Sequence, residues 1–271
     1  MNKTSTIILV TLLTILTICL SISLFFLIKG GFNFDFSDVK LKLIDSKEFD
    51  SIGNLDVETD TADIYIKTNS ENKVKVEVYS NDYKEESITN TTNSLNVVLM
   101  KKCRIFCFAK RSKIYVYLPE TYKNNMSIRS TTGDILVDDY ADSDVNIKVT
   151  TGDISLKSIK NATISVTTGD VKISSVNDII VTTTTGDIFL SKVNNYMSIN
   201  TTTGDVEIGE ANINKNSNIK ATTGDVNIEN IKNVYIDGKT TTGDNKINNN
   251  DRKSDVELTI KTTTGDIKVN Y

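Results

Sequence analysis

Residues 164–187 read ISVTTGDVKISSVNDIIVTTTTGD and contain one complete repeat of this 271-residue chain. Apolar and polar residues alternate in it with a period of two, and β-branched residues prevail, which is typical of strands. Residues expected to point inward are separated by three positions instead of two at three places: Thr168 to Val171, Ile173 to Val176, and Val176 to Ile179. Each step predicts a corner, and three corners predict a coil of roughly triangular section.

The tetrapeptide Thr-Thr-Gly-Asp marks the repeat and occurs eight times. Its glycines are 17–22 positions apart: Gly133, Gly152, Gly169, Gly186, Gly204, Gly224, Gly243 and Gly265. Coils of this length, stacked about 4.8 Å apart, predict an all-β parallel β-solenoid with interior columns of Ile, Val and Leu, and we expect it to be right-handed. A degenerate copy at residues 60–66 indicates that the coils begin upstream. Glycine gives the turn a backbone conformation that other residues resist, and the aspartate can bond nearby amides.

An apolar segment precedes the repeats. Residues 7–28 carry no charge, and a helix of that length, rising about 1.5 Å per residue, spans a hydrocarbon layer of roughly 30 Å. A cleavable signal peptide would have a shorter apolar run that ends at small residues, and a lipoprotein at Cys19 would need a small residue where Ile18 stands. We therefore predict residues 1–6 as a cytoplasmic tail, 7–28 as one transmembrane helix, 29–50 as a juxtamembrane stalk or cap, and 51–271 as the solenoid.

Basic residues stand on both sides of this apolar segment, so the charge bias that orients membrane helices is weak. Lys3 precedes the segment, and Lys29 and Lys40 follow it. A six-residue amino-terminal tail usually stays in the cytoplasm. We therefore expect a single-pass protein of the cell membrane whose carboxyl-terminal body is extracytoplasmic.

The composition excludes several functions. The chain has no His, no Trp and a single Pro, so serine–histidine triads, His-ligated zinc and imidazole acid–base chemistry are impossible. The net charge of −4 leaves no broad basic surface for nucleic-acid phosphates. We predict no enzymatic activity, no catalytic residues and no nucleic-acid partner, and the sequence does not fix an oligomeric state.

The repeated motif Thr-Thr-Gly-Asp-Ile/Val-x-Ile/Leu/Val, together with an amino-terminal membrane segment and a less regular first half, resembles the bacterial putative-adhesin family of domains of unknown function. The resemblance covers roughly residues 51–271. It implies a cell-envelope β-solenoid that is often membrane-anchored. It carries no catalytic motif, and the adhesin label of the family describes a fold rather than an activity.

The repeat aspartates would form one column if the coils stack in register. Neighbouring carboxylates would then stand about 4.8 Å apart and repel by roughly 1 kcal/mol per pair in water, which makes calcium a candidate guest. The alternative, which we favour, is that each carboxylate bonds its own turn and nearby threonine hydroxyls, and that no metal or other cofactor is bound. The candidate metal ligands are Asp134, Asp153, Asp170, Asp187, Asp205, Asp225, Asp244 and Asp266.

A second column occupies the outward position two residues before each repeated Thr-Thr pair. It reads Arg129, Lys148, Ser165, Thr182, Asn200, Lys220, Lys239 and Lys261, and the first threonines of the motifs run beside it. Five of these eight residues are basic, so the column is a candidate surface for anionic envelope polymers. The alternative is that lysine and threonine only keep the strand face soluble and discourage edge pairing.

Residues 101–111, KKCRIFCFAKR, form an apolar stretch between basic flanks. As a strand it would be apolar on both sides, so it is either buried or projects towards a membrane surface or a partner through Ile105, Phe106 and Phe108. Cys103 and Cys107 would lie about 13 Å apart on an extended strand, too far for a disulfide unless a turn folds them together. Their alternative role is that of small apolar residues.

The sequence leaves three functions open. We favour a non-enzymatic solenoid that binds or scaffolds cell-envelope polymers or proteins through its long faces. The alternatives are an envelope polysaccharide-acting enzyme on a β-helix and an accessory subunit of an envelope signalling or stress system. Because the chain stops on a predicted strand at 267–271, an open edge there would also permit end-to-end association.

Overall fold

The structure is a computed structural model that describes residues 41–81, 84–101, 112–232, 234–248 and 250–270. From Leu41 onward the chain forms one compact unit, and its described strands belong to one sheet. These strands are β1 Lys42–Phe49, β2 Asn54–Asn69, β3 Val74–Ser80, β4 Lys84–Asn90, β5 Ser94–Lys101, β6 Ser112–Pro119, β7 Met126–Thr132, β8 Ile135–Val137, β9 Tyr140–Thr151, β10 Ile154–Thr168, β11 Val171–Thr185, β12 Ile188–Thr203, β13 Val206–Ala211, β14 Ser217–Thr223, β15 Val226–Ile231, β16 Tyr235–Thr242, β17 Asn245–Ile247, β18 Glu257–Thr264 and β19 Ile267–Val269.

No helix in the described part of the chain is long and apolar enough to cross a bilayer. The predicted cytoplasmic tail at 1–6, the predicted transmembrane helix at 7–28, and residues 29–40 of the predicted stalk lie outside the described residues.

The repeats stack as parallel strands, which confirms the all-β solenoid. The pairing of β10 with β11 is an example: Ile154 lies opposite Val171 and Val166 opposite Thr183, each one repeat along the chain. Parallel pairing of this kind continues from β2 to β7 and β8 and from there through β15. The degenerate copy at 60–66 is part of this stack, because β2 pairs with β7 and β8.

The core lies inside the coils and consists mainly of β-branched residues. In β11 the side chains of Val171, Ile173, Val176, Ile179 and Val181 are all buried, so two of the predicted three-residue steps are correct. Each such side chain contributes roughly 1.5–3 kcal/mol to stability by leaving water.

The predicted inward position of Thr168 is wrong. Thr167 and Thr168 are both exposed, and Val166 is the last buried residue before the turn. The Thr-Thr-Gly-Asp segment therefore lies wholly outside the core, and its turn spans more chain than a single three-residue step.

Glycine is required at each turn for two reasons. The eight motif glycines have φ between 138° and 149°, which L side chains rarely adopt. In addition, a Cβ on Gly169 would stand 2.0 Å from the carbonyl oxygen of Gly152 in the preceding coil. The turns are linked through backbone bonds such as that from Gly152 N to Thr168 O, 3.0 Å.

The carboxyl-terminal coils do not stack in chain order. Strand β18 lies between β14 and β16, and β19 lies between β15 and β17. The last coil of the sequence is therefore inserted between the Gly224 and Gly243 coils. The predictions that the coils would stack in succession and that the strand at 267–271 would be an open edge are wrong here, because β19 is paired on both sides.

The edge at this end is formed instead by β16 and β17, and asparagine side chains occupy part of it. The Asn250 amide accepts a bond from Ile236 N and donates one to Ile236 O, both 2.8 Å, and Asn245 Nδ2 donates to Gly238 O at 2.7 Å. These bonds satisfy backbone groups that would otherwise be available to a further strand.

The amino-terminal end also departs from chain order and carries an antiparallel cap. Strands β5 and β6 pair in parallel with β2, on the side away from β7 and β8. Antiparallel to this coil lie β4 on β5 and β3 on β6, and β1 pairs with β3. Part of the segment predicted as stalk or cap, Lys42–Phe49, is thus a strand of this sheet.

Candidate functional site

The repeat aspartates form a hydrogen-bonded ladder along the turns. In all but the end member Asp244, the carboxylate Oδ1 accepts the backbone N–H of the aspartate in the adjoining coil, at 2.7–3.2 Å. The ladder runs in the spatial order Asp63, Asp134, Asp153, Asp170, Asp187, Asp205, Asp225, Asp266 and Asp244. The backbone amides place partial positive charge between like carboxylates, which offsets part of their mutual repulsion.

The predicted metal ligands are therefore brought together in one column but already accept hydrogen bonds. Across the described ranges, no group of three or more acidic or cysteine side chains is placed to hold a metal ion. The end member Asp244 bonds Lys246 Nζ at 2.9 Å. The prediction that these aspartates bind no metal, and the alternative that they bind calcium, both remain to be tested.

The predicted basic column is a true cross-strand ladder. Its members lie opposite one another in the order Arg129, Lys148, Ser165, Thr182, Asn200, Lys220, Lys261 and Lys239. The insertion of the last coil exchanges the final two residues relative to the sequence. Two basic groups result, one of two residues near the amino-terminal end and one of three lysines near the carboxyl-terminal end.

The three terminal lysines differ in their surroundings. Lys239 Nζ bonds Asp237 Oδ2 at 3.0 Å, and this hydrogen bond raises the pKa of the Lys239 ammonium. Lys220 and Lys261 are exposed and make no ion pair with a described residue. The first threonines of all eight motifs are exposed along the turn, between this column and the aspartate ladder.

A tyrosine cluster on the amino-terminal strands was not predicted. It consists of Tyr65 on β2, Tyr79 on β3, and Tyr115 and Tyr117 on β6, all half-buried on the outward face. Partial burial is the main cause of the raised pKa of the Tyr65 hydroxyl, followed by the charge of Asp63. The alternating Tyr-Val-Tyr of β6 was the available signal, but no repeat indicated that β2 and β3 would flank it.

A ladder of aspartate and asparagine at a second corner was also missed. Asn161 Nδ2 donates to Asp144 Oδ1 at 2.8 Å, and two coils further along the stack Asn195 donates to Asp178. Asn161 and Asp144 line a polar groove of about 420 Å³ that crosses four coils. Aligning the repeats would have revealed these positions.

The segment predicted to contact a membrane or partner lies outside the described residues. This applies to Ile105, Phe106 and Phe108, and to Cys103 and Cys107, whose disulfide stays untested.

Solved structures match this chain at low sequence identity. A putative adhesin from Bacteroides fragilis is 16% identical with a TM-score of 0.54, and the match covers 84% of this chain and 97% of that one. A putative cell adhesion protein from Clostridium sporogenes is 15% identical with a TM-score of 0.30, over 85% of this chain and 99% of that one. The match to the Bacteroides fragilis structure shows the fold alone.

Curated proteins give no match to this chain. The family is shown by a different comparison: residues 52–271 match the family model described as Toastrack DUF4097, a domain of unknown function. This range contains the whole solenoid and all eight turns, and the chain therefore belongs to the Toastrack DUF4097 family.

Proposed function

We propose that this chain is a non-enzymatic solenoid of the cell envelope, held at the membrane by residues 7–28 with its body on the extracytoplasmic side. It binds or scaffolds envelope polymers or proteins in an adhesin-like manner. Its ligand surface for anionic polymers is the basic column Arg129, Lys148, Lys220, Lys261 and Lys239.

The observation that carries this proposal is the register of the three terminal lysines. Lys220, Lys261 and Lys239 lie directly opposite one another on adjacent strands, which are about 4.8 Å apart. Like charges in this arrangement destabilise a sheet. An anionic polymer laid along the solenoid axis would meet one ammonium in each of these three coils and would reduce that repulsion.

The aspartate ladder makes one side of this surface negatively charged. Its carboxylates run parallel to the lysines on the far side of the exposed threonines. A polyanion is therefore attracted to the lysine side and repelled at the turn, while threonine hydroxyls can donate hydrogen bonds between the two.

The test is retention of the full chain, in detergent micelles, on immobilised envelope fractions and on a defined polyanion. A variant with Lys148, Lys220, Lys239 and Lys261 changed to Ser should elute at clearly lower salt, because each phosphate or carboxylate contact adds to the salt dependence. The matched control changes four exposed lysines elsewhere, Lys160, Lys172, Lys232 and Lys253, to Ser and removes the same net charge. Equal elution of the two variants would remove the basic column from consideration.

A further inference from the structure

The tyrosine cluster brings four rings together on three adjacent strands. The rings of Tyr65 and Tyr115 stack with centroids 4.7 Å apart and planes inclined by 13°, and those of Tyr115 and Tyr117 are 6.3 Å apart at 15°. Tyr79 meets Tyr115 edge-on, with centroids 5.6 Å apart and an interplanar angle of 84°. The rings of Tyr65 and Tyr117 are thus nearly parallel to that of Tyr115, and the Tyr79 ring is almost perpendicular to it.

The rest of the same outward column shows that the repeat does not require these rings. Along the stack from Tyr65, the positions in register are occupied by Leu136, Ser155, Lys172, Phe189 and Glu207. These side chains differ in size, polarity and charge, so strand pairing alone does not select tyrosine. Four of the chain's ten tyrosines are concentrated at one place where they keep part of their surface in water.

Charge at the cluster is unevenly balanced. Glu77 is held by Lys75 Nζ at 2.7 Å and by the Tyr79 hydroxyl at 3.0 Å. Lys113 Nζ stands 5.5 Å from the Tyr65 ring centroid and Lys67 Nζ 5.6 Å from that of Tyr115, and neither makes an ion pair with a described residue. The cluster therefore presents two ammonium groups over aromatic rings, and the Glu77 carboxylate beside them is already paired with Lys75.

A groove of about 430 Å³ opens between these side chains. Its walls are apolar at Leu41 and at the rings of Tyr79, Tyr115 and Tyr117, and Lys113 and Glu77 complete its lining. Apolar walls with hydroxyl and ammonium groups at the rim fit a ligand that has an apolar face and polar, negatively charged edges. A pyranose ring has this character, because its C–H face packs on aromatic rings while its hydroxyls and any carboxylate bind donors.

We propose that the tyrosine cluster is a binding site for an acidic glycan, with sugar rings packed on Tyr79, Tyr115 and Tyr117 and carboxylate groups on Lys67 and Lys113. The site lies on β2, β3 and β6, whereas the basic residues of the column lie on β7, β9, β14, β16 and β18, so the proposal stands independently of the polyanion surface. It adds a second specificity, in which ring shape matters as well as charge.

The experiment measures binding of three probes to the full chain in detergent micelles by calorimetry and by tyrosine fluorescence, which is readable because the chain has no Trp. The probes are an oligosaccharide alternating glucuronate with N-acetylglucosamine, an N-acetylglucosamine oligomer of equal length, and polyglutamate. We expect saturable binding of the acidic oligosaccharide only. Equal binding of the neutral oligomer would overturn the role of the lysines, and equal binding of polyglutamate would overturn the role of the rings.

Variants locate the site. Tyr115→Ser should weaken binding of the acidic oligosaccharide by about tenfold, as expected for an aromatic residue at the centre of an interface. Tyr115→Phe keeps the ring and should bind almost normally, and the double change of Lys67 and Lys113 to Ser tests the charges without disturbing the rings. The matched control is Tyr235→Ser, at a half-buried tyrosine on β16.

Circular dichroism and thermal melting establish that each variant is folded. Undiminished binding by the folded Tyr115→Ser protein would overturn the proposal. The same conclusion would follow if binding survived in that variant but disappeared in the four-serine variant of the basic column.

Discussion

Substituting Gly169 by Ala should disrupt the solenoid at its middle. Gly169 has φ 144°, and an added Cβ would stand 2.0 Å from Gly152 O and 2.6 Å from Gly152 C, whereas ordinary contacts begin at 3.4 Å. The obstacle is backbone, so the two turns must separate. That movement stretches three bonds that join them: Gly152 N to Thr168 O, Ile154 N to Asp170 O, and Asp170 N to Asp153 Oδ1.

The expected loss combines conformational strain with these bonds. A non-glycine residue in this region costs about 1–3 kcal/mol, and each weakened hydrogen bond about 0.5–1.5 kcal/mol. We therefore expect the free energy of unfolding to fall by about 4 kcal/mol, a large part of the 5–15 kcal/mol typical of a domain. Urea unfolding followed by far-ultraviolet circular dichroism measures it.

The matched control is Gly238→Ala. Gly238 is not among the glycines of positive φ, and the nearest atom to its added Cβ is the Ile247 Cδ1 at 2.7 Å, the end of a side chain that can rotate. Its unfolding free energy should change by less than about 1 kcal/mol. If the free energy of unfolding of Gly169→Ala also fell by less than about 1 kcal/mol, the reasoning about the turns would be refuted.

Three further predictions concern the ladder, the cap and the carboxyl-terminal end. Asp170→Ala removes the Oδ1 that accepts the Asp187 N–H at 2.9 Å and should lower the free energy of unfolding by about 1–2 kcal/mol. Asp170→Asn keeps an oxygen acceptor and should retain most of that stability. Equal losses of the two variants in urea titrations would show that the hydrogen bond is not the cause. The hydrogen bond from Lys75 lowers the pKa of the Glu77 carboxyl in the folded protein below its usual 4.5. The ionised Glu77 carboxylate therefore stabilises the fold at pH values above the pKa of the unfolded chain, and this stabilisation is lost as the pH falls through the pKa of the folded protein. Melting temperatures between about pH 5 and pH 3 should consequently fall less steeply in Glu77→Gln than in the parent, and parallel curves would contradict this. Truncation after Asp255 removes β18 and β19 and should also abolish hydrogen-exchange protection in residues 235–247, because β16 and β17 pair only with β18 and β19 among the described strands. Retained protection of residues 235–247 would mean that the coils stack in chain order.

The regular part of the fold was readable from the sequence because each coil repeats the same physical requirements. A three-residue step such as Ile173 to Val176 follows from keeping apolar residues inside a bent strand, and glycine marks a turn that no other residue can make. The register of the basic column followed from the same periodicity. Thr168 was misplaced because alternation was carried one residue too far, into a turn whose threonines both face solvent.

The two ends could not be predicted in this way. Parallel pairing of β18 with β14 satisfies the same hydrogen bonds and the same interior columns as pairing with β16, so the repeat pattern does not distinguish insertion from succession. At the other end, β3 pairs antiparallel with β6 and β4 pairs antiparallel with β5, and neither β3 nor β4 shares a motif with the coils. The tyrosine cluster depends on that pairing, which is why its members look unrelated in the sequence.

The inserted last coil has a consequence for biosynthesis. A ribosome delivers residues 235–247 before residues 257–269, yet the earlier segment rests on the later one in the finished protein. Docking of residues 235–247 must therefore wait until residues 257–269 have been translated, and a product terminated between the two segments is left with a segment that has nowhere to dock. Such an unfinished terminus is what cellular proteases degrade first.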